Sequence, residues 1–348
     1  MTIRTLTDAI LGIDIGGTKT AFGFVSLKGD LLGSARMLTE ASQSSGPFFT
    51  RLHAAVEQLQ AELPTPIHLQ GVGVGAPNAN FFTGEMVNPP NLPWGVVPVT
   101  KILSDSFQVP CWLTNDAKAA ALGEFIFGDA KGLQNFIVIT IGTGLGSGII
   151  SNGQLVYGHD GFAGEIGHTI YDRQGRECGC GRRGCLETYV SGPGLKRTAF
   201  ELLATKRTAS SLRNQAFESL TAKNIYEAAQ KGDPIALEAF DYTAHVLAAK
   251  LADTIAHVSP SHIFFCGGLT QAGELLFDPL RRYTETCLLD VYQGKVHLLP
   301  SALPPGHAAI LGAAALFVSK GETRSCNPPL NTSSHSTTSN SQRLSSSF

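Results

Sequence analysis

The chain opens on an apolar run, residues 9–15, that closes in Asp14-Ile15-Gly16-Gly17-Thr18-Lys19-Thr20. Residues 21–27 are again strand-like and Lys28-Gly29-Asp30 reads as a turn, so the pattern predicts a β-hairpin with a glycine-rich bend. Residues 47–63 place Phe48, Leu52, Ala55, Val56, Leu59 and Leu63 at helical spacing, and residues 69–74 form a further strand ending at Gly75-Ala76-Pro77. A second series begins at residues 136–141, bends through Gly142-Thr143-Gly144-Leu145-Gly146-Ser147-Gly148 and reaches a turn at Ser151-Asn152-Gly153. Strand, glycine bend and strand are thus repeated more than a hundred residues apart, which predicts a duplicated fold with a phosphate loop on each half. Downstream, residues 234–258 read as a long amphipathic helix, 263–266 as a short strand ending in Gly267-Gly268-Leu269, and 306–318 as an Ala-rich helix. Residues 325–348 are rich in Ser, Thr and Asn with almost no apolar content and read as a disordered tail.

Length and composition narrow the class. The chain has 348 residues, enough for two domains with separate cores, and 43% hydrophobic residues supply those cores. A formal net charge of -2 provides no basic field for a polyanion, so nucleic acid is not an expected partner. The N-terminal apolar stretch is too short for a signal peptide and Asp14 interrupts it, while no window of 18 uncharged apolar residues occurs, so a membrane is not expected either. Three of the seven cysteines, Cys178, Cys180 and Cys185, fall within eight residues and the rest are scattered, which fits a reducing compartment and a cytoplasmic location better than a secretory disulfide set. Glycine is abundant, at 38 residues, and clusters in loops.

Three constellations carry chemistry. In the first bend, Gly16 and Gly17 let backbone N–H groups approach an anion, Thr18 adds a hydroxyl and Lys19 a charge, and Asp14 is placed to hold Mg2+ directly or through water. The bend matches neither G-x-x-x-x-G-K-[ST] nor G-x-G-x-x-G, and an ordinary hairpin turn is the alternative. His168 with Cys178, Cys180 and Cys185 forms a Cys3His set suited to a closed, tetrahedral, structural Zn2+ that would order the loop 168–187 and fix Glu165, His168 and Glu187. Thr114-Asn115-Asp116-Ala117 follows an apolar segment and leads into a helix over residues 119–127; Asp116 there is a candidate general base, or Asn-Asp is simply a helix cap. Arg182 and Arg183 read as solvent-exposed, and Cys111, Cys266, Cys287 and Cys326 as incidental thiols.

With these residues in place, the sequence resembles the ROK sugar kinases (repressor, open reading frame, kinase), above all their bacterial glucokinase members, from about residue 10 to about residue 320. Gly164-Glu165-Ile166-Gly167-His168 followed by the three cysteines and Glu187 is the most specific element. The resemblance implies an α/β, two-domain actin-like ATPase (ribonuclease H-like) fold: a small domain over residues 1–114, completed by the helix near 306–320, and a large one over 115–305. It implies ATP-dependent phosphorylation of glucose at the 6-hydroxyl, with N-acetylmannosamine, N-acetylglucosamine, mannose and fructose as alternative sugars and a sugar-responsive transcriptional regulator as the rival class. About ten residues precede the first strand, too few for a helix-turn-helix domain. By resemblance, Asp116 is the base, with Asn115, Glu165, His168, Glu187, Asn91 and Gly75 around the sugar. Asp14, Gly16, Gly17, Thr18, Lys19, Thr143 and Gly144 then face ATP and Mg2+, Gly267 and Gly268 the adenosine side, and a homo-dimer or tetramer is implied.

Overall fold

The structure, a computed structural model, describes residues 6–41 and 44–321, so Cys326 and the tail expected beyond Gly321 lie outside the described residues. β1 (Thr7–Ile15) and β2 (Lys19–Ser26) form the first hairpin, and β3 (Leu31–Leu38) extends it antiparallel. Helix α1 (Ser45–Glu62) crosses over to β4 (Ile67–Ala76), which runs parallel to β1. A small sheet of β5 (Ala79–Asn80), β6 (Glu85–Val87) and β7 (Val96–Val97) precedes α2 (Val99–Phe107) and β8 (Cys111–Asn115), the latter parallel to β4. The first large sheet therefore has the order β3-β2-β1-β4-β8.

Helix α3 (Asp116–Phe127) leads into the second half. There β9 (Phe136–Ile141), β10 (Leu145–Ser151), β11 (Gln154–Leu155), β12 (His262–Cys266) and β13 (His297–Pro300) pair in the order β11-β10-β9-β12-β13. Position for position this repeats the first sheet, with two antiparallel pairings followed by two parallel ones, so the two hairpins seen in sequence are equivalent parts of a duplicated unit. Between β11 and β12 the second half adds α4 (Glu187–Val190), α5 (Gly192–Thr205), α6 (Ala222–Gln230) and α7 (Pro234–Val258); α8 (Glu274–Cys287) and α9 (Ala308–Gly321) follow. No helix among the described residues is long and apolar enough to cross a membrane.

Local chemistry accounts for the element boundaries that matter. α7 starts where Asp233 accepts from the N–H groups of Ile235 and Ala236 and Pro234 takes the first turn, where its missing N–H costs nothing. α3 starts at Asp116, three residues before the helix expected from composition, because the Asn115 side chain accepts from Ala117 and Lys118 and satisfies that first turn.

α3 and α9 pack together between the two sheets, and glycines set how closely. A Cβ at Gly123 of α3 would meet Gly312 Cα of α9 at 2.9 Å, and Cβ atoms at Gly12 and Gly73 would collide with the α9 carbonyls of Ile310 and Ala313. Helix backbone thus lies directly on strand backbone, with β1 against α9 and the carboxyl end of β4 against the start of α3.

Candidate active site

Strand register assembles the floor of the site. Asp14 at the end of β1 pairs with Gly75 of β4, which pairs with Thr114 of β8, one residue before Asn115 and Asp116. Asp14 and Thr114 are thus two strand spacings, about 10 Å, apart at the carboxyl edge of three parallel strands, where α/β sheets bind ligands. Gly75 lies between them: a Cβ there would stand 3.5 Å from Asp116 Cα and 3.8 Å from an Asp14 carboxylate oxygen.

Two carboxylates face one another across this floor. Burial pushes the Asp14 carboxyl up to about 7, the Asp116 charge adds to the rise and Arg36 opposes it. Burial also raises Asp116, against the lowering effect of the Ala117 N–H, the Asn115 side chain and the Lys118 charge. Asp116 keeps an exposed surface although protein surrounds it on nearly every side, the situation of a side chain at the bottom of a cleft. Asn115 caps α3 through its oxygen, at 3.0 Å from Ala117 N and 3.3 Å from Lys118 N, while Asp116 Oδ1 accepts from Ala117 N at 2.8 Å. The cap and the candidate base are therefore neighbouring residues with separate duties.

The first bend is braced by Thr39, the residue after β3. Gly16 N donates to Lys19 O, and Thr39 Oγ1 donates to Gly16 O at 2.7 Å and sits 3.0 Å from Thr20 Oγ1, which then acts as donor to it. Thr18 and Lys19 are exposed at its tip. A Cβ on Gly17 would stand 3.2 Å from Asn91 Cβ, so Asn91, held at φ 63°, is packed on this bend.

The second bend opens onto a cavity of about 930 Å3. Gly142, Thr143 and Gly268 form one wall, and Lys196, Phe217 and Tyr226 form part of the other. Lys196 Nζ stands 4.1 Å above the Phe217 ring. A wall of aromatic faces closed by glycine backbone suits a flat heterocycle attached to phosphates. Gly267 takes φ 102°, and a Cβ there would also meet Ile141 O at 2.5 Å, so the β9 and β12 ends meet backbone to backbone. Lys196, Phe217 and Tyr226 are absent from the sequence-based set; they come from three separate segments with no local motif to mark them.

The cysteine loop also assembles. One ligand atom from each of His168, Cys178, Cys180 and Cys185 lies within 4.8 Å of the others. Cys180 Sγ and Cys185 Sγ are 3.6 Å apart and Cys178 Sγ is 3.7 Å from His168 Nδ1. Tetrahedral bonds of about 2.3 Å to sulfur give edges of about 3.8 Å, so the donor set fits a zinc ion. Arg176, 7% exposed, anchors the loop on α5 through paired hydrogen bonds to Glu201 and further ones to Thr188 O, Gly194 O and Thr198.

Glu187 ties this loop to the second bend. Its Oε2 accepts from Leu145 N at 2.9 Å, and a Cβ on Gly144 would stand 2.6 Å from the same oxygen, while Oε1 lies 3.9 Å from Cys178 Sγ. Glu165 is exposed and His168 half-buried on the short turn Ile166–His168. The structure thus gathers Asp14, Gly75, Asn115 and Asp116 at one edge, Asn91 on the first bend, and Glu187, His168 and the thiols beside the second.

Two interlocked α/β units with equivalent sheets, and a cleft floored by a strand-end carboxylate from one and a glycine hairpin from the other, are the actin-like ATPase fold. The ROK family model matches residues 10–320, and the chain belongs to that family. It is 32% identical to the glucokinase of Thermotoga maritima over 88% of this chain and 96% of that one. It is also 36% identical to the N-acetylmannosamine kinase of Escherichia coli O157:H7, over 70% and 77% of the two chains. A crystal structure of a ROK family glucokinase from Streptomyces griseus, in complex with glucose and AMPPNP, superposes with a TM-score of 0.77 at 34% identity, covering 88% of this chain and 98% of that one.

Proposed function

We propose that the protein phosphorylates glucose at its 6-hydroxyl, using ATP. The observation that carries this reading is the placement of Asp116 on the floor of the cleft, facing Asp14, in a chain built like a glucose- and AMPPNP-bound glucokinase. Asp116 accepts the proton of the attacking hydroxyl; Asn115, Glu165, His168, Glu187, Asn91 and Gly75 surround the ring. Phosphoryl transfer asks little covalent chemistry of a protein and much positioning. Gly16, Gly17, Thr18 and Lys19 on one bend and Thr143 and Gly144 on the other supply N–H groups, a hydroxyl and a charge to the phosphates. The cavity beside Gly267 and Gly268 takes the nucleoside, walled by Phe217 and Tyr226. Asp14 would hold Mg2+, which supplies charge neutralisation on the phosphates when bound. Zinc at His168, Cys178, Cys180 and Cys185 would keep the loop that carries Glu187 in one conformation.

A panel of sugars in a coupled ADP-release assay tests the reading. Turnover of glucose above the other hexoses supports it. Turnover of N-acetylmannosamine in place of glucose replaces it with the activity of the other kinase relative.

A further inference from the structure

The segment that presents Glu165 has little internal structure of its own. Gly158, Gly161 and Gly164 all take positive φ, at 77°, 91° and 92°, in the stretch 156–165, which itself contains no helix or strand. Within it, Ala163 N donates to Tyr157 O and Phe162 N to Asp160 Oδ1. Glycines at such angles have many alternatives, so something else must select this conformation.

Three side chains from three different elements do so, each by capturing a backbone carbonyl. Asn80 of β5, 9% exposed, donates Nδ2 to Asp160 O at 2.8 Å, and its Oδ1 accepts from Phe82 N and Thr83 N. Lys118 of α3, 2% exposed, donates Nζ to Gly161 O at 3.1 Å. Ser147 of β10, 4% exposed, donates Oγ to Gly164 O. Gly161 is squeezed besides: a Cβ would stand 3.0 Å from Asn80 Oδ1.

We infer that Asn80, Lys118 and Ser147 are positioning residues that clamp the loop of residues 158–165 and thereby set the protein's affinity for its sugar. This rests on the sugar-kinase reading above. Lysine is among the residues least often buried, and a buried ammonium group requires a compensating partner. Lys118 lies two residues after Asp116 on the same helix, so one rigid turn fixes both the candidate base and the loop opposite it. Burial lowers its pKa, while the charges of Glu165, Asp116 and Asp160 oppose that effect, so the ammonium also stands near the candidate base and Glu165. Asn80 belongs to the first half of the chain and Ser147 to the second, so the loop registers the position of both.

Lys118→Met, Asn80→Asp and Ser147→Ala test the clamp; Asn80→Asp keeps the acceptor for Phe82 and Thr83 and replaces the donor to Asp160 O with a carboxylate oxygen that repels it. Hydrogen exchange is measured on the intact protein, alongside KM for sugar and for ATP. Each folded variant is expected to exchange the amides of residues 158–168 about tenfold faster, with the sheets unchanged. The sugar KM is expected to rise about tenfold, with the ATP KM held within about twofold, and Lys118→Arg to recover part of the loss. If Lys118→Met does not fold, the other two variants carry the result. Unchanged exchange in the folded variants overturns the clamp, as does an ATP KM that rises in step with the sugar KM. Wild-type protein that turns over no sugar overturns the kinase reading instead, and the exchange data still decide the clamp.

Discussion

Asp14→Asn should make the protein both less active and more stable. Asp14 is held beside Asp116 in a buried cleft, and its carboxyl is carried from an ordinary 3.8 to about 7. At about 1.4 kcal/mol per pH unit, that corresponds to roughly 4 kcal/mol of unfavourable ionisation in the folded state. Water entering the cleft and small relaxations reduce this to about 2 kcal/mol. The sign follows from the two titrations. Below about pH 4 the carboxyl is protonated folded and unfolded, and the cost is absent. It grows as pH rises, because the unfolded chain gives up the proton first, and is complete above about pH 7. An amide of the same shape carries no such cost, so the variant should unfold about 4 °C higher than wild type at pH 8 in magnesium-free buffer, with the gap narrowing towards pH 4.5. Added Mg2+ should raise the midpoint of wild type and not of the variant. Equal midpoints at pH 8, or a gap independent of pH, would refute the reasoning.

Other outcomes follow from the same geometry. Asp116→Asn should lower kcat by about 10^2 to 10^4 while sugar binding, read by titration of tryptophan fluorescence, is retained. Because burial raises the Asp116 pKa and the base must be ionised, kcat/KM of wild type should fall on acidification at a pH above that of an ordinary carboxylate; an acid limb that appears only in the ordinary carboxylate range would count against that role. Cys180→Ser should lose the single zinc equivalent that elemental analysis is expected to find, and sugar affinity with it, whereas a metal-free preparation of full activity would refute a structural zinc. Gly73→Ala puts a methyl group into the Ala313 carbonyl under α9 and should destabilise by about 2 kcal/mol in denaturant titration, with loss of turnover as α3 shifts.

Much of the site was legible because its signals are local. Asn115-Asp116 after an apolar strand, the two glycine bends, and the tight spacing of Cys178, Cys180 and Cys185 are each decided within a few residues. The structure carries these out as a cap, two equivalent hairpins and a four-donor cluster. The fold was legible for a related reason: a period of two in strands and 3.6 in helices is written into the sequence wherever one face is buried. Glycine was read less completely. The sequence accounts for the glycines of loops, while Gly12, Gly73, Gly123 and Gly312 serve close packing between α9, α3 and the sheet, which no local pattern reveals.

The sequence by itself determined which segments become hairpins and helices and which side chains are candidates for metal, phosphate and proton chemistry, since those depend on neighbours along the chain. The tertiary structure decided which distant groups meet. It set Asp14 against Asp116 and raised both their pKa values. It drew Lys196, Phe217 and Tyr226 into one cavity wall and brought Asn80, Lys118 and Ser147 onto three carbonyls of one loop. Burial and Coulomb interaction act through space, so their partners are fixed only once the two sheets have closed around α3 and α9.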